Sequence, residues 1–293
     1  MTSGPERWLV LAARASPGDP LRELLGEGLL ALGGLSVAEE GEYLVTYLPP
    51  PPDPEAFVVE AGRFLADWLM DDLPPELSWR WQRDEDWSKE WKKGLEPRVV
   101  TPRIVTKPSW TSFEPAAGQI VIDIDPQMAF GTGEHATTRG CLRLLDGSIR
   151  AGDRVLDVGS GSAILSVAAA LLGAGEVVAV EYDPDANLNA RENLERNGVE
   201  AQVRLIEALA DADFIGTLGA FDLVLANILS GVVRPLLPAF RQVLRPAGRI
   251  IVSGILQSES EAVADSAAAA GLRVATEDRE EEWWSALLLP VAR

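Results

Sequence analysis

The sequence predicts an α/β fold with a mostly parallel sheet in its C-terminal two-thirds, preceded by a smaller α+β unit. From about residue 120 onward, apolar strand patterns alternate with helical patterns, which is typical of a sheet covered by helices on both faces. After the last helical pattern, two strand patterns follow with no helix between them. These two patterns predict a hairpin at the sheet edge, so that one strand runs antiparallel.

The elements of this larger part follow from short apolar runs and from helical apolar spacing. Strands are predicted at residues 154–158, 177–181, 201–206, 221–226, 249–253, 273–277 and 285–291. Helices are predicted at residues 163–172, 184–197, 231–244 and 258–270. A terminal hairpin is typical of the Rossmann-like class I methyltransferase sheet, whereas dinucleotide dehydrogenases usually lack it.

Residues 1–84 predict a separate, smaller unit with the order βαββαβ. Strand patterns cover residues 7–15, 35–40, 42–48 and 77–83, and helical patterns cover residues 20–32 and 54–70. Asp53 is placed to cap the second helix, with Pro54 at its first position. The order is that of an α+β ferredoxin-like domain, a common binding platform that implies no activity by itself.

Residues 85–115 are predicted to be a linker, which leaves residues 116–293 for the larger domain. This stretch is locally basic and rich in tryptophan, with Trp87, Trp91, Trp110, Lys89, Lys92, Lys93, Arg98, Arg103 and Lys107. A phosphate-binding surface would need more basic residues and exposed aromatic rings. We therefore interpret the stretch as a linker packed across both units.

Charge and composition restrict the classes of partner. Hydrophobic residues make up 47% of the chain, which excludes general disorder and allows a sizeable core. The net charge of −19 disfavours direct nucleic-acid binding and suits a basic protein partner, although surplus carboxylates also serve solubility alone. No apolar run approaches the roughly 20 residues that a bilayer crossing needs, so no membrane association is expected.

Cysteine and histidine are too scarce for disulfide or zinc chemistry. Cys141 is the only cysteine and His135 the only histidine, so neither an internal disulfide nor a protein-only zinc site can form. The single cysteine fits a cytoplasmic location, and no metal is expected.

A glycine turn follows the first strand of the larger domain, in the segment Leu156-Asp157-Val158-Gly159-Ser160-Gly161-Ser162-Ala163. Glycine allows a sharp turn and the close approach of a ligand. The helix start that follows presents free N–H groups. Dinucleotide enzymes place a third glycine where this chain has Ile164, which disfavours that class.

Glu181 ends the second strand, 20 residues after Gly161. A carboxylate at this point can accept hydrogen bonds from both ribose hydroxyls of a nucleoside, as in S-adenosylmethionine or NAD. The alternative is a solvated acid at a strand end. Asp183, directly before Pro184, is expected only to cap the next helix.

The segment Phe130-Gly131-Thr132-Gly133-Glu134-His135-Ala136-Thr137-Thr138 lies between a strand pattern and a helix pattern. Two glycines followed by hydroxyls at a helix start predict a loop that can fold over a small ligand. Phe130 could stack on an adenine or close the pocket. For His135 we expect a polar role at the helix start.

Asn227 is delivered by an apolar strand to the carboxyl edge of the predicted sheet, where ligands bind in such folds. Its amide could accept a hydrogen bond from an amine and orient the lone pair of that amine. The alternative is a turn-forming asparagine, which is common after strands.

Together these segments resemble the PrmA family, which methylates the large-subunit ribosomal protein L11. The segments that carry the resemblance are DPQMAFGTGEHATT, VLDVGSGSAILSVAAALLGA, VEYDPDANLNARENLERNGV, LANIL, SGIL and DEDWSKEWKKGLEP, so that it spans nearly the whole chain. The resemblance implies S-adenosylmethionine as cofactor and substrate recognition by the N-terminal domain.

The resemblance also implies roles for individual residues. Thr138, Gly159, Glu181 and Asn227 would contact the cofactor, and Phe130 and the Gly131–Gly133 loop, which includes Thr132, would cover it. Asp157 and Gly161 belong to the same cofactor-binding segment. Two residues depart from the family pattern: Ala163 replaces a usual glycine, and Glu181 replaces a usual aspartate. Asn227 stands in Ala-Asn-Ile-Leu, which argues against substrates of the amide- and adenine-methylating relatives.

The sequence thus predicts methyl transfer to amino groups of L11, namely lysine side chains and the N-terminus, with Asn227 receiving the amine and no dedicated general base. A monomer is expected. The alternatives are a lysine methyltransferase of another protein, a nicotinamide-dependent oxidoreductase, and a module that holds the cofactor without turnover.

Overall fold

The structure is a computed structural model of the chain, and it describes residues 7–16, 21–34, 37–69, 73–83, 96–125 and 133–291. The chain divides into two compact units, Met1–Leu95 and Glu96–Arg293. Residues 96–115, which the sequence analysis assigned to a linker, therefore belong to the second unit.

The first unit contains a four-stranded antiparallel sheet in the order β2-β3-β1-β4. Its elements are β1 (Arg7–Arg14), α1 (Arg22–Ala31), β2 (Val37–Glu40), β3 (Tyr43–Leu48), α2 (Pro54–Leu69) and β4 (Leu77–Arg83). Leu9 and Leu11 alternate along β1 and are buried against Leu29 of α1 and Leu65 of α2. This arrangement is the predicted ferredoxin-like fold.

The second unit begins with a small three-stranded sheet. Its strands are β5 (Arg98–Val99), β6 (Ile104–Lys107) and β7 (Ile120–Asp123), with β5 antiparallel and β7 parallel to β6. Ile104 and Ile122 are fully buried in the core of this unit. Part of the predicted linker thus forms short strands, and the β-branched residues Ile104, Val105 and Thr106 of β6 are buried.

A seven-stranded sheet forms the centre of the second unit, in the order β10-β9-β8-β11-β12-β14-β13. Its strands are β8 (Arg154–Val158), β9 (Glu176–Glu181), β10 (Val203–Glu207), β11 (Phe221–Asn227), β12 (Leu244–Leu256), β13 (Leu272–Glu280) and β14 (Trp283–Pro290). Only β14 runs antiparallel to the other strands of this sheet. The predicted hairpin and its single reversed strand are confirmed.

Helices cover both faces of this sheet. They are α3 (Ala136–Ser148), α4 (Ile164–Leu171), α5 (Pro184–Arg196), α6 (Ala212–Thr217), α7 (Ser230–Val243) and α8 (Ser260–Ala269). One core contains the apolar faces of α3, α4 and α5, and the other contains those of α7 and α8. Within the described ranges, no helix is both long and apolar enough to span a membrane.

The strand order reverses between β8 and β11. From β8 the chain continues to β9 and β10 at one edge of the sheet, and from β11 it continues to β12, β13 and β14 at the other edge. In open α/β sheets, such a reversal leaves a crevice at the carboxyl ends of the two strands. The order therefore places the site at the ends of β8 and β11.

Candidate functional site

A cavity of about 530 Å³ lies at the carboxyl ends of the central strands. Its volume falls in the range of small-molecule sites. Strand ends contribute Val158, Glu181, Asn227 and Gly254, and the other lining residues are His135, Thr137, Gly159, Val180, Tyr182, Asp183, Ala186, Ala208, Leu209, Ala210, Ile228, Leu229, Val232, Leu236 and Trp283.

The predicted glycine turn forms one side of this cavity. Gly159 and Gly161 have φ angles of +68° and +52°, in the left-handed region that favours glycine. A Cβ on Gly159 would lie 2.6 Å from Cγ2 of Ile228, so the position also requires the absence of a side chain. The N–H groups of Gly159 and Ser160 donate to the Val180 carbonyl at 2.9 and 3.2 Å, which fixes the turn to β9.

Glu181 is held at the edge of the cavity by backbone donors. Its Oε2 accepts a hydrogen bond from the Gly161 N–H at 3.0 Å, and its Oε1 accepts one from the Asp183 N–H at 3.0 Å. The residue is only 7% exposed, which argues against a solvated acid at a strand end. A carboxylate offers about four acceptor positions, so capacity remains for ligand hydroxyls.

Asn227 lines the cavity at the end of β11, and its amide is only half satisfied. Nδ2 donates to Oγ1 of Thr138 in a long hydrogen bond of 3.5 Å. Oδ1 is buried and has no hydrogen-bond partner among the described residues. A buried acceptor without a partner is costly, and it marks a position where a ligand donor would be favourable.

Thr138 lies behind the cavity surface and is not one of its lining residues. Its side chain is fully buried in the first turn of α3, where it accepts the hydrogen bond from Asn227. Thr137 and His135, one and three residues earlier, line the cavity. Thr138 therefore reaches the site through Asn227.

His135 has the helix-start role that its position predicts. It is the N-cap of α3, where its Nδ1 accepts from the Thr137 N–H at 3.4 Å and lies 2.7 Å from Thr137 Oγ1. The imidazole also contacts the Trp283 ring edge-to-face, with 5.0 Å between ring centroids. These two rings form an aromatic side of the cavity.

Asp157 is buried under the glycine turn and does not line the cavity. Its Oδ2 accepts a hydrogen bond from Ser166 Oγ of α4 at 2.6 Å. Burial raises the pKa of its carboxyl to about 7, an effect that the negative charge of Glu181 reinforces and the Ser166 hydrogen bond opposes. Asp157 therefore has a structural role, in which it supports the glycine turn.

Three predicted site residues, Phe130, Gly131 and Thr132, lie outside the described residues. Several lining residues were not predicted from the sequence, among them Trp283, Gly254 and Tyr182. Gly254 was quoted only within the segment SGIL, and Tyr182 directly follows Glu181. Trp283 was not expected in the site because it is the first residue of its strand, and site residues were expected where strands end.

Comparison with known proteins identifies the group to which the chain is related. The sequence profile described as ribosomal protein L11 methyltransferase (PrmA) matches residues 56–288. The chain belongs to the PrmA family. A relative named ribosomal protein L11 methyltransferase, from Symbiobacterium thermophilum, is 40% identical over 94% of this chain and 95% of its own length.

Two further relatives, one compared by sequence and one by structure, agree with this family membership. The protein of the same name from Thermus thermophilus is 40% identical over 72% of this chain and 80% of its own length. A crystal structure of ribosomal protein L11 methylase from Lactobacillus delbrueckii subsp. bulgaricus has a TM-score of 0.62 and 27% identity. It matches 67% of this chain and 100% of its own.

PrmA membership decides against the nicotinamide-dependent oxidoreductase that the sequence analysis left open. The structure agrees at Ile164, which takes the place of the third glycine of dinucleotide enzymes. Ile164 is the first residue of α4, and its side chain is 2% exposed and belongs to the core. A bulky buried residue here prevents the close helix–strand packing that the dinucleotide fingerprint requires.

Proposed function

We propose that this chain transfers methyl groups from S-adenosylmethionine to amino groups of ribosomal protein L11. The proposal rests on one observation above all: in a chain of the PrmA family, Gly159, Glu181 and Asn227 line one cavity. The acceptors are lysine side chains and the N-terminus of the substrate.

The residues of the cavity fit an adenosyl cofactor. Glu181 is positioned to accept hydrogen bonds from ribose hydroxyls, while Gly159 allows close approach of the ligand to the backbone. Tyr182 and Leu209 add exposed apolar surface for a flat base. When bound, the sulfonium supplies an already activated methyl group, so the protein mainly has to bind and align.

We assign to Asn227 the role of binding the acceptor amine of the substrate. A buried Oδ1 without a partner can accept a hydrogen bond from the amine and so direct its lone pair toward the methyl group. A lysine amine has an ordinary pKa near 10.4 and must lose a proton first, which partial desolvation in the cavity favours. We propose that no dedicated general base takes part.

Labelled methyl transfer tests this proposal. The purified chain is incubated with methyl-labelled S-adenosylmethionine and either recombinant L11 or a complete set of ribosomal proteins, and products are read by mass spectrometry. We expect label on lysine or N-terminal amines of L11, with Asn227→Ala as the inactive control. Label on another protein would favour the alternative lysine methyltransferase, and cofactor binding without any transfer would favour the non-catalytic module.

The remaining expectations are part of the same proposal. The first unit, Met1–Leu95, recognises the substrate, and the net charge of −19 suits a basic ribosomal protein. We propose further that the enzyme acts as a cytoplasmic monomer and does not bind nucleic acid directly. Size-exclusion chromatography with light scattering tests the monomer.

A further inference from the structure

Three asparagines form a row along one face of α5 and its C-cap, because Asn189 and Asn193 of the helix and the C-cap Asn197 are each four residues apart. Asn189 and Asn193 are 1% and 0% exposed, and Asn197 is half-buried. Asparagine is unfavourable in the interior of a helix. A row of three asparagines on a buried face also requires polar partners for the side-chain amides.

The asparagine row hydrogen-bonds the chain that continues from β7. Asn197 contacts both backbone groups of Asp123, accepting from its N–H at 2.8 Å and donating to its carbonyl at 2.7 Å. Asn193 Oδ1 accepts from the Asp125 N–H at 3.2 Å, and Asn189 Nδ2 donates to the Asp125 carbonyl at 3.1 Å. The row thus satisfies backbone groups of residues 123–125 as a neighbouring strand would.

Asn193 makes one contact that the other members of the row lack. Its Nδ2 donates to the carbonyl of Ser162 at 3.0 Å, inside the glycine turn. This carbonyl precedes Ala163, the N-cap of α4 with a φ of +63°, so it lies outside the hydrogen bonding of the helix. Without the amide, a buried carbonyl would lose this partner.

The glycine turn is therefore held from two sides. Glu181 accepts from the Gly161 N–H, and Asn193 donates to the carbonyl of the next residue, Ser162. Glu181 lines the cavity, whereas Asn193 does not. Fixing a binding loop before the ligand arrives removes the cost of ordering it on binding.

We propose that Asn193 is a positioning residue for the cofactor: it sets the conformation of the glycine turn and thereby the affinity of the site. This inference rests on the proposed function, because it assumes that the turn holds S-adenosylmethionine. The row also connects the turn with residues 123–125, so one side chain fixes both segments.

A matched pair of variants tests the role of Asn193. Asn193→Asp and Asn197→Asp each replace an amide donor with an oxygen that faces a main-chain carbonyl, but only the former faces the glycine turn. Binding of S-adenosylhomocysteine is measured by calorimetry well below the melting temperature of each variant. We expect Kd to rise at least about tenfold for Asn193→Asp and less than about threefold for Asn197→Asp.

Steady-state kinetics separate positioning from a general loss of structure. For Asn193→Asp we expect a raised KM for S-adenosylmethionine and a kcat within about twofold of wild type at saturating cofactor, because the reacting groups are untouched. If Asn193→Asp does not fold, Asn193→Ser, which removes the amide with less repulsion, is judged by the same ratio of Kd values.

Equal Kd values for the two variants would overturn the proposal for Asn193 while leaving the proposed function intact. Failure of the wild-type protein to bind S-adenosylhomocysteine would overturn both. The two failures are therefore distinguishable within one set of titrations.

Discussion

Asn227 and Thr138 are joined by a hydrogen bond of 3.5 Å from Nδ2 to Oγ1, which connects the end of β11 to the first turn of α3. In this arrangement Nδ2 is the end of the amide that faces Thr138. It leaves Oδ1 as the end without a partner among the described residues. The orientation of the amide therefore suits an incoming amine donor.

Loss of this amide should reduce turnover. We expect Asn227→Ala to lower kcat by at least about tenfold, because the acceptor amine loses its hydrogen-bond acceptor. Thr138→Val keeps the shape of the threonine but frees the amide to rotate, so a smaller loss of about three- to tenfold is expected. Both are measured with L11 at saturating cofactor. Near-normal turnover of Asn227→Ala would remove Asn227 from the mechanism.

Glu181 should control cofactor affinity through its charge. We expect Glu181→Gln to weaken S-adenosylhomocysteine binding by about ten- to a hundredfold, because charge-assisted hydrogen bonds to ribose are lost. Glu207 is the control: it ends β10 opposite Glu181 in the sheet register, is exposed, and does not line the cavity. Comparable affinities for Glu181→Gln and Glu207→Gln in calorimetry would contradict the assignment.

Ala163 is a non-glycine residue with a φ of +63°. An L-residue in this region is strained, so Ala163→Gly should raise the free energy of unfolding by about 0.5–1 kcal/mol. Ala168→Gly, in the interior of α4, should instead lower it by about 1 kcal/mol or more. Urea denaturation checks the two signs, and a loss of stability in both variants would argue against strain at Ala163.

Asp157 should make stability depend on pH. Its folded-state pKa of about 7 lies above the ordinary value near 3.8, so it contributes a destabilisation that is absent at low pH and grows as pH rises toward the folded-state value. Asp157→Asn removes the charge and retains a partner for Ser166. We expect the variant to be more stable than wild type by about 1–3 kcal/mol at about pH 8, and by less at about pH 5.

Urea denaturation at several pH values provides the measurement for Asp157. Ser166→Ala serves as the control, because removing the hydroxyl that stabilises the charged form should increase the stability loss at high pH. A difference between Asp157→Asn and wild type that is constant across pH would show that the carboxyl does not titrate in this range.

Most of the larger sheet could be predicted, because each buried strand is a short apolar run between helical patterns. The predicted strand at residues 154–158 coincides with β8, and most other boundaries lie within a few residues. β12 is longer than predicted, since Leu244–Leu256 includes polar residues beyond the apolar run. The helix Ala212–Thr217 is only six residues long and gave no periodic signal.

The site was less predictable where function depends on contacts between distant segments. No sequence pattern singles out Asn193, and its burial follows from the packing of α5 against the glycine turn. Trp283 was not predicted because it lies before the predicted strand at residues 285–291. β14 runs antiparallel, so its first residue, rather than its last, lies at the carboxyl edge of the parallel strands.

The reversed strand also has a consequence for the order in which the enzyme matures. The glycine turn and Asn227 are synthesised before residues 272–290, yet Trp283 and the acidic partners of α3, Asp278 and Glu280, belong to that later hairpin. A nascent chain that has folded only through β12 would have the glycine turn, Asn227 and His135 but would lack Trp283. Methylation competence should accordingly appear late in translation, when the hairpin joins the sheet.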